Sequence, residues 1–310
     1  MPTTYQALAD SETEFNKVLD RLSVPIIQTD RIHLAYGIVS ELAELVSQYG
    51  TVGIDEKWAA LEEKYTKGEP TQALLDIREV AHFLPYLHEV DDGILKIKLT
   101  ALIKGNLLRI EESEINNNSV ARNTQFELFL FSQLRLVGIK AELCDPNPDV
   151  KAYINGRTYF IECKRILRLT NTSVNTNAKK ALRQLNEHMD RNNESQFGIV
   201  ALSIQRILAK PEEILNSPTQ QTGLDYIQKQ SHDFIEQNNQ SWQNPARLKN
   251  SRIASVWVHF SGGLITKTSP PLSSLSNVTM TNAWRDARNL DVIKADFAYM
   301  EETLRKLGNK

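Results

Sequence analysis

Residues 148–164 read PDVKAYINGRTYFIECK, and their reading decides the fold. Two β-like runs, 150–154 and 158–166, flank Asn155-Gly156, and an Asn-Gly pair in that position signals a two-residue hairpin. A strand directs successive side chains to opposite faces. Tyr159, Ile161 and Cys163 therefore share one face, and Thr158, Phe160, Glu162 and Lys164 the other. The apolar face anchors the strand. The second face is expected to hold a carboxylate and an ammonium side by side, and charged groups on a half-buried strand require partners.

Acid-x-Lys triplets also occur at Asp55-Glu56-Lys57, Glu62-Glu63-Lys64 and Asp149-Val150-Lys151, so context has to separate them. The first two fall in a charged helical region, where residues two apart do not face each other, and read as solvated surface. Asp149 opens the strand that pairs with 158–166, and the hairpin brings it towards Glu162 in a register left open at this stage. Two carboxylates held together repel and desolvate each other, a cost that a divalent cation removes. The fitting occupant is Mg²⁺ or Mn²⁺, which take oxygen ligands from one or two carboxylates and leave other positions to water and phosphate. Glu127 lies on the apolar stripe of a helix predicted over 126–137, beside Leu130, Phe131 and Leu134. It either joins this set or closes a capping box with Thr124.

Outward from the hairpin the pattern is mixed α/β. A strand is expected over 140–144, a polar loop in TNTSVNTN (170–177), a helix over 178–190 and a buried strand in FGIVALSIQRI (197–207). A helix follows in TGLDYIQKQSHDFIEQ (222–237), then a strand in RIASVWVHF (252–260), a turn at Gly262-Gly263, a loop over 269–282 and a last helix over 295–306. The first 112 residues show helical periodicity instead, with Leu34, Ile38, Leu42 and Leu45 on one stripe. Four or five helices are expected there, with breaks near Val24-Pro25, Gly50 to Gly53, Lys67 to Pro70 and Asp91 to Gly93. The Asn-rich EESEINNNSVARN (111–123) reads as a linker. This places a helical N-terminal domain over 1–114 and an α/β domain over 115–310.

Taken in order, a helix with Glu127, then Pro148-Asp149, a hairpin, Glu162-Cys163-Lys164 on a strand, and a following helix and strand resemble the PD-(D/E)xK nuclease superfamily over about residues 120–205. The resemblance implies a restriction-endonuclease-like fold: a mixed β-sheet core flanked by helices, here preceded by the all-helical domain. It implies that Asp149 and Glu162, with Glu127, hold Mg²⁺ or Mn²⁺ and that Lys164 assists the attacking water. The reaction implied is metal-dependent phosphodiester hydrolysis in nucleic acid, by an endonuclease acting on DNA rather than RNA. On the helix over 178–190, Lys180, Gln184 and His188 recur at spacing four, with Lys179 and Arg183 in a neighbouring row. Gln184, Lys180 and Arg183 are candidates to support the site or touch phosphate; a solvated helix face is the alternative. For Lys164 the alternative is an exposed ion pair with Glu162, worth about 0–1 kcal/mol.

Composition bounds these readings. The chain has 310 residues, 41% of them hydrophobic, enough for a sizeable core. The net charge of −2 divides unevenly: residues 1–112 hold 11 basic and 19 acidic side chains, residues 113–310 hold 25 and 19. The second part is the one expected to meet a polyanion. No apolar run of about 18 residues is present and the N-terminus does not read as a signal peptide, so a cytoplasmic protein without a membrane partner is expected. Cys144 and Cys163 lack disulfide or zinc spacing, and the six histidines lack zinc-hydrolase spacing. The N-terminal helices are left as a surface for a protein partner or self-association. Two further readings stay open. One is a catalytically silent nucleic-acid-binding or protein-interaction scaffold on the same fold. The other is an enzyme whose site is a helical carboxylate cluster, Glu41 and Glu44 with Asp76 and Glu79, acids that charged outer faces explain more simply.

Overall fold

The computed structural model describes residues 4–50, 54–66, 68–107, 120–167, 171–190, 192–205, 215–238, 252–266, 272–280 and 289–308. They group into two compact units, one drawn from 1–125, 205–230 and 260–277, the other from 126–204, 231–259 and 278–310.

In the first unit the expected helices form as α1 (Tyr5–Arg21), α2 (Arg31–Tyr49), α3 (Ile54–Lys64), α4 (Glu69–Phe83) and α5 (Asp92–Leu102), with a 3₁₀ turn over Leu84–Glu89. Local chemistry sets their starts. The Thr4 hydroxyl accepts from the Ala7 N–H at 3.1 Å before α1, and Asp91 Oδ1 accepts from the N–H groups of Gly93 and Ile94 before α5, each occupying amides a helix start leaves without partners. Phe15, Leu19, Ile32, Tyr36, Leu42 and Phe83 are among the buried core residues.

One expectation for this unit is overturned. Asp76 and Glu79 do not lie on an outer face: both are buried. Asp76 accepts from Arg31 Nη1 at 2.6 Å, from Arg122 Nη1 at 2.6 and 2.7 Å and from Gln72 Nε2 at 2.8 Å. Glu79 accepts from Gln125 Nε2 at 2.6 Å and from Gln205 Nε2 at 2.8 Å. Charges are tolerated inside because each is matched by a partner. Sequence periodicity marks these positions as polar but says nothing of the distant Arg122 and Gln205 that make burial affordable in energy.

The second unit holds the later turns of α6 (Val120–Leu136), then β1 (Lys140–Leu143), β2 (Val150–Ile154), β3 (Arg157–Arg165), α7 (Asn171–His188) and β4 (Gln196–Ser203). Along the chain follow β5 (Leu215–Ser217), which falls in the first unit, and α8 (Gln220–Gln237), β6 (Ile253–Thr266) and β7 (Leu272–Met280), each divided between the two; α9 (Leu290–Gly308) falls in the second. The strand order is β1-β2-β3-β4-β6, antiparallel from β1 to β3 and parallel from β3 to β6. The distal end of β6 pairs in parallel with β5, and β7 also pairs with β6. A mixed α/β architecture is thus observed, with the hairpin where it was expected. Asn155 and Gly156 have φ of 49° and 77°, the two positive values that a tight hairpin turn of this kind demands.

Three local expectations change. The stretch from Asn171 is the first turns of α7 rather than a loop: it is polar but lacks Gly and Pro, and buried Val174, Ala178 and Ala181 continue one apolar stripe. Gly262-Gly263 is not a turn, because β6 runs through it to Thr266. Residues 272–280 form β7 rather than loop. The linker proposed over 111–123 lies outside the described residues up to 119, and from Val120 the chain is helical.

Strand register sorts the helices onto two faces. Gly198 is aligned with Phe160 and so belongs to the Glu162 face. A Cβ at Gly198 would stand 3.2 Å from Leu185 Cδ1 and 3.4 Å from Met189 Cε, which places α7 on that face. His259 is aligned through Ser203 with Arg165, on the opposite face, where Phe126 of α6 stacks on it at 5.2 Å and Phe129 meets it tilted at 4.7 Å. On that opposite face, too, Phe297 of α9 meets Trp257 and Tyr159.

α9 is held there by one buried acid. Asp296 accepts from Arg157 Nε at 2.6 Å, Tyr159 Oη at 2.5 Å and Asn155 Nδ2 at 2.7 Å. Burial pushes its carboxyl up, but these hydrogen bonds outweigh that and hold it below the ordinary carboxylate range. Asp296→Ala would leave the Tyr159 hydroxyl without its acceptor in the core, at a cost of about 2–3 kcal/mol. The expected result is an earlier urea midpoint with an unchanged slope, and a wild-type midpoint would show that α9 does not depend on this acid.

Candidate metal-binding carboxylate pair

The two-residue turn sets the register of the hairpin. Ile154 faces Arg157, Ala152 faces Tyr159 and Val150 faces Ile161, and Asp149, one residue before β2, lies close enough to Glu162 for its charge to act on that carboxyl. Asp149 is buried, and its Oδ2 accepts from the backbone N–H of Cys163 at 2.7 Å. Its position is therefore held from within β3 itself. The loop leading to it, with Pro146 and Pro148, is tied to α7 by Gln184 Nε2 donating to Asn147 Oδ1 at 3.1 Å.

Glu162 is 0% exposed. Central placement between β2 and β4, with α7 above, buries β3 on both faces from Tyr159 to Cys163, so the part of the strand that carries Glu162 is covered on both sides rather than half-buried. Lys164 Nζ donates to Glu162 Oε1 at 2.6 Å, and the Lys164 side chain retains 15% exposure. The ion pair is thus an interior one, unlike the exposed pair weighed as the bland alternative. Among the described residues, Glu162 Oε2 has no hydrogen-bond partner. Burial first, and then the charge of Asp149, push the Glu162 carboxyl up from 4.5 to about 7, against the opposing pull of Lys164 and Lys180. A carboxylate forced into this position, with one oxygen unmatched, is chemically unsatisfied.

No protein-family model, curated protein or solved structure matches the chain. The site must therefore be judged on its own residues.

Asp149, Glu162 and Lys164 are brought together. Glu127 is buried on α6, the helix that packs on the opposite face of the sheet. Its charge, with those of Asp149 and Glu162, reaches Cys163, whose thiol is raised well above its ordinary range first by burial and then by these acids. Among the described residues no group of three or more His, Cys, Asp or Glu side chains is arranged to hold a metal ion. On α7, Lys180 acts on Glu162 through its charge and Gln184 reaches Asn147, while Arg183 is exposed and paired with Glu187 at 3.8 Å. Asn147 was not singled out from sequence, and only its side-chain contact with α7 reveals it. In the helical unit, Glu41 is engaged by Lys64 at 2.7 Å and Tyr65 at 2.8 Å, and guanidinium groups take both oxygens of Asp76.

The donor set suits a hard divalent cation. Two buried carboxylates interact by charge at the open end of the hairpin, and among the described residues one Glu162 oxygen has no partner; Mg²⁺ or Mn²⁺ would satisfy that oxygen and leave coordination positions for water and substrate. Without metal, the raised carboxyl has a consequence for stability. Glu162 binds its proton more tightly in the folded chain, so its contribution to stability is complete below about pH 4.5 and is lost as pH rises through about 7. In EDTA, the Tm of Glu162→Gln minus that of wild type should grow between those values and level off above them. A gap independent of pH would show that Glu162 titrates normally.

Proposed function

We propose that the chain is a divalent-metal-dependent nuclease, an endonuclease that hydrolyses phosphodiester bonds in DNA. The observation that carries this reading is the fully buried Glu162, close enough to Asp149 to feel its charge, with Lys164 on one oxygen and, among the described residues, no hydrogen-bond partner on the other. A buried carboxylate with a second carboxylate beside it bears a cost of desolvation and repulsion that Lys164 offsets only in part, and a divalent cation would remove the remainder.

The residues would hold Mg²⁺ or Mn²⁺ at Asp149 and Glu162, and the ion when bound supplies Lewis-acid polarisation of the phosphate and a bound water of lowered pKa. The Cys163 N–H fixes Asp149, and Lys164 keeps Glu162 from swinging away. Lys164 also places a cation where a hydroxide forms and where negative charge builds on phosphorus. Lys180 adds a second positive field at the same position, and Gln184 steadies the Asp149 loop through Asn147. Water attacks directly, so no protein nucleophile is required, and the buried Cys163 thiol with its raised pKa is unsuited to the role. The preference for DNA follows from the motif's resemblance to PD-(D/E)xK nucleases. The deciding assay offers linear and circular duplex, single-stranded DNA and RNA with Mg²⁺, Mn²⁺ or EDTA. Metal-dependent cutting is expected from wild type and not from Glu162→Gln or Lys164→Ala.

A further inference from the structure

The sheet face that carries the carboxylate pair continues past α7 as an open strip. In β1 and β2 the buried residues alternate with accessible ones: Ala141, Leu143, Val150, Ala152 and Ile154 are buried, Lys140 and Glu142 exposed, Lys151 and Tyr153 partly exposed. Register assigns the accessible set to the Glu162 side. Lys140 faces Tyr153, which faces Thr158, and Glu142 faces Lys151, which faces Phe160. Across this strip Lys151 Nζ stands 5.9 Å from the Phe160 ring centroid, and Lys140 Nζ stands 4.9 Å from that of Tyr153. Glu142 accepts from Tyr153 Oη at 2.8 Å and pairs with Lys140 at 3.5 Å, a solvent-exposed pair of the weak kind that a phosphate can displace from Lys140.

We propose that this strip binds single-stranded nucleic acid leading to or from the carboxylate pair, with phosphates at Lys151 and Lys140 and a base stacked on Tyr153. The proposal rests on the nuclease reading of Asp149 and Glu162. Along an extended strand Lys151 lies about 7 Å from Asp149 and Tyr153 about 13 Å, steps comparable to successive phosphates of an extended strand. Spaced cations beside an aromatic ring on a sheet form a platform for unpaired bases, which any base can use because each has a π-face. A duplex keeps its bases inside its own stack and offers none to Tyr153. Recognition is thus expected to be tolerant of sequence and to favour a single strand or an unpaired end.

The test is fluorescence anisotropy in EDTA, so that binding is read without cleavage, using a short labelled single strand and a blunt duplex of the same sequence. Wild type should bind the single strand about tenfold or more tighter than the duplex. Tyr153→Ala should weaken single-strand binding about tenfold, while Tyr153→Phe, which keeps the ring, should stay within about twofold. Lys140→Ala and Lys151→Ala should each lower the salt dependence of single-strand binding by about 0.7 in log–log slope. Tighter binding of the blunt duplex, unchanged binding by Tyr153→Ala, or no binding of either oligonucleotide would overturn the strip. Cleavage in Mn²⁺ by the same preparations separates the two ideas. Cutting by wild type with normal binding by Tyr153→Ala defeats the strip alone. Binding through Tyr153 without any metal-dependent cutting defeats the nuclease reading.

Discussion

Glu162→Gln is expected to lower metal-dependent cleavage on the order of 10²- to 10³-fold and to leave the chain folded. Gln has nearly the volume of Glu and its amide oxygen still accepts from Lys164, so the packing of β3 between β2 and β4 survives. What disappears is the negative charge near Asp149. The variant removes the cost of an interior carboxylate, so without metal at about pH 8 it should melt no earlier than wild type. Mn²⁺ should raise the Tm of wild type and leave the variant unmoved, because a ligand of the folded state stabilises in proportion to its binding; at a hundred times its dissociation constant the gain is about 2.7 kcal/mol. Lys164→Ala divides the roles further. It should lose cleavage while keeping much of the metal-induced stabilisation, since both carboxylates remain. Equal cleavage by wild type and Glu162→Gln would refute the site, and a metal-induced shift that survives the substitution would place the ion elsewhere.

The hairpin was legible because its determinants are local. Asn155-Gly156 selects the turn, and a two-residue turn with Ile154 opposite Arg157 carries the pairing back to Val150 opposite Ile161, the residues beside Asp149 and Glu162. The acid-x-Lys spacing was likewise readable from strand periodicity. Coverage was not readable. Nothing near β3 announces that α7 lies over Glu162 or that Glu127 belongs to a helix on the other face, because those relations depend on the aligned strands β4 and β6, tens of residues away. Gly198 leaves room for Ile253 of β6 and for Leu185 of α7, and in sequence it is one small residue in an apolar run. The start of α7 was missed for a different reason: Ser, Thr and Asn compete with helix locally, and only the buried stripe of Val174, Ala178 and Ala181 decides for helix. Asp296 illustrates the limit most plainly, since its arginine partner is 139 residues away.

The same limit hid the pairing of Asp76 with two arginines, and Asp76→Ala is expected to cost about 3–5 kcal/mol. Arg31 and Arg122 are 1% and 4% exposed, and Asp76 is the carboxylate that accepts from both. Arg31 also donates to the carbonyls of Leu102 and Lys104, and Arg122 to those of Leu107 and Asn106, so neither guanidinium can leave for water without giving up further hydrogen bonds. Removing the acid therefore strands two interior cations instead of freeing them. Against a typical total of about 5–15 kcal/mol, the loss should be evident as a lower urea midpoint, with Asp76→Asn falling between variant and wild type because its amide oxygen still accepts. EDTA should leave wild-type stability in the helical unit unchanged. If it reproduced the effect of Asp76→Ala, Asp76 would be a metal ligand and the helical-cluster reading would return. Unfolding of Asp76→Ala like wild type would mean that the arginines, rather than their shared acid, hold this unit together.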